Sequence, residues 1–386
     1  MRVIYYSYSF FADCDFPLVK ALQDKGIDVR YYMPLQKNFQ HSSILELEKP
    51  ITKLGLVKAS AVKEMAIYRD CINLEKLFFI QGYKNRKFGI LSWCLWIYTL
   101  AHMKMFKADV IHIDWPFKNR FEKFLFIFAL GRKKIMTVHD PIMHSGVKKE
   151  AVEELARRRS FEWADRFILL NKIQADEFSQ LYKINKNRIF YSRLGMYSSI
   201  SHVQPLPSKI KGKYVLFFGQ INPNKGVEYL IQAMPLVHQD CPDVKLVVAG
   251  RGSITIDKEK YQHFEYIEWR NYYIGISELV GLVRESLFVV CPYKDATQSG
   301  VVQTAFSLEK PVIATNVGNM PEVVKDGVTG FIVPSCDVQS LANAIIKLYR
   351  DPQMISLFTN NIKAYNEKDN CWDDIADDYI RLYKTK

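Results

Sequence analysis

Residues 214–233 read YVLFFGQINPNKGVEYLIQA. Tyr214 to Phe218 form an unbroken apolar run that ends at Gly219, and a stretch of helical period takes over after Gly226. Such a run predicts a strand buried on both faces, as in a parallel sheet covered by helices. The rhythm repeats downstream in VKLVVAG, FEYIEW, LFVVCPY, PVIATNV and GFIVP, and upstream in RVIYYSY, DVRYYMP, DVIHID, KIMTVHD, RFILLN and IFYSRLG. Helical segments fit between most of these runs; one is PLVKALQDKG, residues 17–26, with Gly26 as its stop. A chain of 386 residues is long enough for two cores. The alternation predicts an α/β protein with two Rossmann-like domains facing across a cleft. SSISHVQPLPSKIKGK, residues 198–213, lacks apolar periodicity and reads as the linker between a domain over 1–197 and one over 214–370. In the tail 371–386, Trp372, Ile375, Tyr379 and Leu382 recur at helical spacing and predict a terminal helix.

Charge divides unevenly. Residues 1–200 carry 33 Lys+Arg against 20 Asp+Glu, whereas residues 201–386 carry 20 against 21. A basic half calls for a polyanionic partner: nucleic acid, anionic lipid or a phosphorylated acceptor. The clusters KNRK (84–87), GRKK (131–134) and ARRRS (156–160) contribute to it, each taken alone being a solvated helix face. No aromatic RNA-binding motif accompanies them, so nucleic acid is the weaker partner. The seven cysteines form no CxxC pair or Cys/His cluster, which predicts a reducing compartment and no structural zinc. MRVIYYSYSFFADCD meets Asp13 and Asp15 without a cleavage site and reads as a first strand rather than a signal peptide. FGILSWCLWIYTLAHMKMF, residues 88–106, is interrupted by polar residues and reads as a core helix in preference to an interfacial membrane helix.

The loops at strand ends carry the chemistry. SYSFFADCD after the first strand has no glycine, so the dinucleotide fingerprint is missing there, and no GxxxxGK[ST] run occurs. Dehydrogenases and P-loop enzymes are disfavoured. In FGQINPNKG, Gly219 permits a sharp exit, Lys225 supplies a cation and Gly226 opens a helix, an arrangement suited to a diphosphate. In KDATQSGVVQTAF, Ser299 and Gly300 bring backbone amides to a second helix start, and NVGNMPEVVKDG adds a third glycine-punctuated turn.

The succession FGQINPNKG, VVAGRG and SGVVQTAFSLEKPVIATNVGNMPEVVKDGVTGFIV strongly resembles the donor-binding domain of the retaining family-4 (group 1) glycosyltransferases, which have the GT-B fold. DVIHID, TVHDPIMH and WADRFILLN look like the corresponding acceptor-domain segments, and WDDIADDYIRLY is similar to the family's final helix, which crosses back onto the first domain. The resemblance implies transfer of a sugar from a nucleotide diphosphate sugar to an acceptor hydroxyl with retention, without a metal or other cofactor. Lys225 matches the family's diphosphate-binding lysine. Gln220 stands where the family usually has an arginine, a charge that Arg251 can replace. Ala296 and Thr304 occupy the positions of the family's two glutamates, leaving donor contacts to Asp295, Gln298, Thr304 and the Ser299, Gly300 and Val301 amides.

His139, at a strand's carboxyl end, matches the histidine that the family places near the transferred sugar; Asp140 and His144 share its loop. Asp13 and Asp15 follow the first strand and are acceptor-side candidates or solvated carboxylates. The mechanism implied is front-face attack, with the protein orienting the donor and stabilising the departing diphosphate. The expected setting is the cytoplasm, at the inner face of the membrane, where a lipid-linked or anionic glycan acceptor in polysaccharide or glycolipid assembly would be reached. Two rivals are a sugar-nucleotide epimerase of the same fold and a non-enzymatic basic protein that binds membrane or nucleic acid.

Overall fold

The computed structural model describes residues 1–36, 38–82, 89–116, 133–142, 150–253, 264–368 and 370–385. The chain forms two compact units, Met1–His202 with Trp372–Lys386, and Val203–Cys371.

The strands of the first unit are β1 (Arg2–Tyr6), β2 (Asp28–Leu35), β3 (His41–Ser42), β4 (Leu45–Glu46), β5 (Gly55–Lys58), β6 (Leu77–Gln81), β7 (Val110–Ile113), β8 (Lys133–Val138), β9 (Arg166–Leu169) and β10 (Ile189–Tyr191). Eight of them form one sheet in the order β10-β9-β8-β7-β1-β2-β6-β5, while β3 and β4 pair separately. Only β5 runs antiparallel in that sheet, against β6. The β5–β6 pair is absent from the strand runs read in the sequence, although LFFIQ is buried along its whole length and opens with an apolar run of the same kind. One core cluster is aromatic, with Tyr6, Tyr32, Phe161, Phe167 and Phe178 all buried.

The helix Ala12–Asp24 follows β1 and ends before Gly26, whose φ of +79° suits a residue without a side chain. Against it lies the terminal helix Trp372–Lys384, which completes the first unit. Trp372 donates to the Met196 carbonyl at 2.7 Å and covers Gly195. Tyr383 reaches the buried His112 Nδ1 at 2.5 Å, while His112 Nε2 meets Thr137 Oγ1 at 2.8 Å. Burial holds His112 down at about 4.

The second unit holds β11 (Tyr214–Phe218), β12 (Lys245–Ala249), β13 (Ile267–Arg270), β14 (Val289–Cys291), β15 (Val312–Thr315) and β16 (Gly330–Val333). They form a parallel sheet in the order β13-β12-β11-β14-β15-β16. The helices Val227–Asp240 and Val338–Arg350 pack against each other. Each unit is a Rossmann-like α/β domain, as the sequence predicts.

The stretch 198–213 is shared between the units. Ser198–His202 forms a 3-10 turn with Ser199 and Ile200 buried on the first unit. Farther on, Leu206 N donates to Ser277 O at 2.9 Å and Ser208 bonds Glu285, both within the second unit. Isolated hydrogen bonds and a few buried side chains, rather than apolar periodicity, fasten these residues, which is why composition alone marks them as linker.

Residues 90–105 form a helix that is core on one side only: Leu100 and Met103 join Ser92 and Thr99 in its buried face, while Ile90, Ile97 and Met105 are 82%, 59% and 78% exposed. Thr99 can be buried because its hydroxyl donates to the Leu95 carbonyl at 2.9 Å.

Candidate functional site

In the first sheet β1 is flanked by β2 on one side and β7 on the other, so the chain order reverses between β1 and β7. Ligands of open α/β sheets bind at such reversals, beyond the strands' carboxyl ends. Here Ser7 follows β1, Asp114 follows β7 and His139 follows β8. His139 Nε2 donates to Asp114 Oδ2 at 2.8 Å, and Ser7 Oγ donates to the same oxygen at 3.4 Å. That bond places the neutral ring's proton on Nε2. The Phe11 ring stacks on the imidazole, centroids 3.9 Å apart at 11°. Burial opposes a charge on His139, but Asp114, aided by Asp140 and Asp13, outweighs it and raises the pKa.

Asp13 and Asp15 diverge in role. Asp13 is partly exposed, yet the desolvation around it pushes its carboxyl up to about 6. Asp15 is buried on the inner face of the helix Ala12–Asp24, accepting from Tyr5 at 2.8 Å and Tyr31 at 2.7 Å, and burial raises it well above the carboxylate range. It holds the first strands to the helix and is not offered to a ligand. Cys14, Asp114 and His139 each present an atom within 4.8 Å of the others. The Cys14 thiol donates to the Phe11 carbonyl at 3.2 Å, and burial keeps it protonated. The set is hydrogen-bonded as it stands. Arg157, itself buried, donates to the Asp140 carbonyl at 2.6 Å. His144 lies outside the described residues.

The second unit builds its site at the equivalent reversal, between β11 and β14. Gly219 leaves β11 with φ +114°, and a Cβ there would stand 3.3 Å from Val301 Cγ2, which sets this exit against the start of the helix Gly300–Ser307. Ser299 caps that helix, its Oγ accepting from Val302 N at 3.4 Å. Gly226 adopts φ +61° at the entry of the helix Val227–Asp240, where a Cβ would lie 2.0 Å from the Pro292 carbonyl oxygen. The two helix starts are thereby held side by side. Lys225 places its ammonium 3.8 Å from the Tyr293 ring centroid, a cation–π contact, and Tyr293 shares a 3.3 Å hydrogen bond with Ser299. The Asn224 carbonyl accepts from Lys294 N at 2.8 Å, tying the Lys225 loop to the Asp295 loop.

Gly219, Lys225, Asp295, Ser299, Gly300 and Val301 thus line adjoining loops on one sheet edge. Gln220 and Arg251 are both exposed there, joined through an Ile221 N to Arg251 O bond of 3.0 Å. Gln298 is partly exposed, whereas Thr304 lies buried in the following helix. Sequence reading passed over Asp114 and Tyr293. Asp114 ends the quoted run DVIHID, and its place after a strand at the reversal was the available signal. Tyr293 ends LFVVCPY and reads as strand until its ring is seen under Lys225.

Solved structures share the fold of these two α/β units. HepE of Anabaena, solved with UDP-glucose, superposes with a TM-score of 0.68 at 15% identity over the whole of both chains. Sucrose-phosphate synthase of Thermosynechococcus elongatus gives 0.67 at 16%, over 100% of this chain and 98% of that one.

Residues 212–351 match the model of the family described as Glycosyl transferases group 1. The chain is 28% identical over 184 residues to an uncharacterized glycosyltransferase of Methanocaldococcus jannaschii, covering 45% of each chain. It is 26% identical over 185 residues to the phosphatidyl-myo-inositol mannosyltransferase of Mycobacterium leprae, covering 45% of this chain and 47% of that one. The matches span less than half the length of these curated relatives.

Proposed function

We propose that the chain is a glycosyltransferase that moves a sugar from a nucleotide diphosphate sugar to an acceptor hydroxyl with retention. The observation that carries this reading is Lys225, fixed over Tyr293 beside the amides of two helix starts at the reversal of the second sheet. Converging N–H groups and an ammonium stabilise a diphosphate both bound and departing. In the proposed front-face scheme the diphosphate oxygen takes the acceptor proton as the sugar transfers, so neither a protein nucleophile nor a metal is needed. HepE was solved with UDP-glucose, which supports a uridine nucleotide sugar as the first donor to try. Arg251 and the Ser299–Val301 amides complete the donor side.

On the first unit, this reading assigns His139, hydrogen-bonded to Asp114, to the transferred sugar and Asp13 and Asp140 to the acceptor. The basic charge of residues 1–200 favours an acceptor that is anionic or carried on lipid at the inner face of the membrane, as in polysaccharide or glycolipid assembly. A thermal-shift screen with UDP-, GDP- and ADP-sugars tests the donor side. Stabilisation by one class supports the reading, and none by any sinks it. Incubating the chosen donor without acceptor separates transfer from epimerisation, because rapid epimer formation would replace this reading.

A further inference from the structure

Pro292, Tyr293 and Lys294, which follow β14, each take hold of the Lys225 loop in a different way. The Pro292 carbonyl oxygen stands where a Cβ on Gly226 would come within 2.0 Å of it, so the two backbones are in contact. The Lys294 amide donates to the Asn224 carbonyl at 2.8 Å, and the Lys294 ammonium meets Glu228 Oε1 at 2.8 Å. Between them, the Tyr293 ring centroid lies 3.8 Å from the Lys225 ammonium. The Pro292 and Lys294 contacts fix the backbone on either side of Lys225, and the ring meets its charge.

Tyr293 is itself held from several directions. It is fully buried, and its hydroxyl shares a 3.3 Å hydrogen bond with Ser299 Oγ, the cap of the helix Gly300–Ser307. Its carbonyl accepts from Thr315 Oγ1 at 2.6 Å and from Ser335 Oγ at 3.1 Å. Thr315 ends β15 and Ser335 follows β16, so the backbone that carries the ring is tied to the sheet as far as its edge strand. Burial pushes the phenol well above its ordinary value, which keeps it uncharged. A neutral ring suits a lysine that must serve an anion. A carboxylate in its place would hold the ammonium by cancelling its charge, whereas the negative face of an aromatic ring attracts the ammonium and leaves the pair with a full positive charge. A lysine steadied in advance also gives up less rotamer freedom when it grips a ligand.

We infer that Tyr293 is a positioning residue: its ring holds the Lys225 ammonium, still fully charged, beside the two helix starts and so raises the affinity for the diphosphate of a nucleotide sugar. The inference rests on the proposed function and deepens its donor site, whose strength then depends on the electron density of one buried ring. Tyr293 acts through Lys225 and not on the substrate.

The test compares the wild type with Tyr293→Leu, with Tyr293→Phe, and with Tyr293→Phe made from progressively fluorinated phenylalanine. Fluorine draws electron density from the ring face and barely changes its shape, so a role in packing alone would not respond to it. Calorimetric titration with UDP, GDP and ADP finds the nucleotide that the wild type binds, and that nucleotide is carried through the series. Its Kd should rise stepwise with fluorination, reaching about five- to thirtyfold above Tyr293→Phe. Tyr293→Leu should show a loss of the same order, and the fluorinated series decides the matter if Tyr293→Leu does not fold. Melting temperatures without ligand should stay level across the fluorinated set. In NMR of the ligand-free protein the ring current should shift the Lys225 ε-protons upfield in the wild type and in Tyr293→Phe. A Kd that is flat across the series overturns the inference, as do Lys225 ε-protons at their ordinary position in the wild type. A wild type that binds none of the nucleotides sinks the donor reading and this inference with it. Binding with a flat series removes the role of the ring alone.

Discussion

His139 Nε2 and Asp114 Oδ2 are 2.8 Å apart in the buried floor of the first unit's sheet edge. The bond fixes both the ring's orientation and its tautomer, so Asp114 is a positioning residue. Asp114→Asn should keep the fold, lower turnover by roughly 10²-fold or more, and lower the pKa of His139. Measuring the pH profile with the rate distinguishes this from a structural role: a rate loss with an unmoved profile would refute the assignment.

The two histidines of this edge should titrate on opposite sides of the ordinary value of about 6.5. His112, neutral and buried, should gain its proton only near 4, whereas His139 should hold its proton to higher pH than a free histidine. Below the ordinary value the unfolded chain binds the His112 proton and the folded one does not. This group therefore costs stability as pH falls from about 6.5 toward 4. The His139 contribution has the reverse sign, full below the unfolded pKa and lost as pH rises through the folded one. NMR of ring-labelled histidine would check both, and coincident titrations would contradict the geometry.

Lys225→Ala should abolish the stabilisation by a nucleotide sugar, which for the wild type reaches roughly 2.7 kcal/mol at about 100 times Kd. Arg251→Ala should reduce it less, since that side chain is exposed and the amides remain. A Lys225→Ala protein that still shifts fully would displace the diphosphate from this loop.

Gly226→Ala should destabilise the second unit by at least about 2 kcal/mol, because the new methyl meets the Pro292 carbonyl oxygen at a positive φ. Gly212→Ala is the control, with φ +88° and open space around it, and should cost about 1 kcal/mol. Denaturant melts of the two variants compare backbone strain alone with strain plus collision.

Strand after strand was legible because a parallel sheet writes itself as unbroken apolar runs, and Gly219, Lys225 and Ser299 announced themselves through residue types that turns and helix starts require. Gly226 was readable as a helix opener, but not its contact with Pro292, which lies far along the chain. Asp114 and Tyr293 escaped for the same reason: their partners are set by register between β7 and β8 and between the β11 and β14 loops. The helix Ile90–Met105 was only half legible, because composition reports how apolar a segment is and not which way it faces: Leu100 and Met103 reach the core while Ile90, Ile97 and Met105 do not.

The first unit is discontinuous in sequence, with the whole of Val203–Cys371 inserted before Trp372–Lys386 supplies Tyr383 to His112 and Trp372 to Gly195. A purified chain truncated after residue 371 should keep a protease-resistant second unit and lose the protection of the first, whose packing draws on residues from both sides of Val203–Cys371.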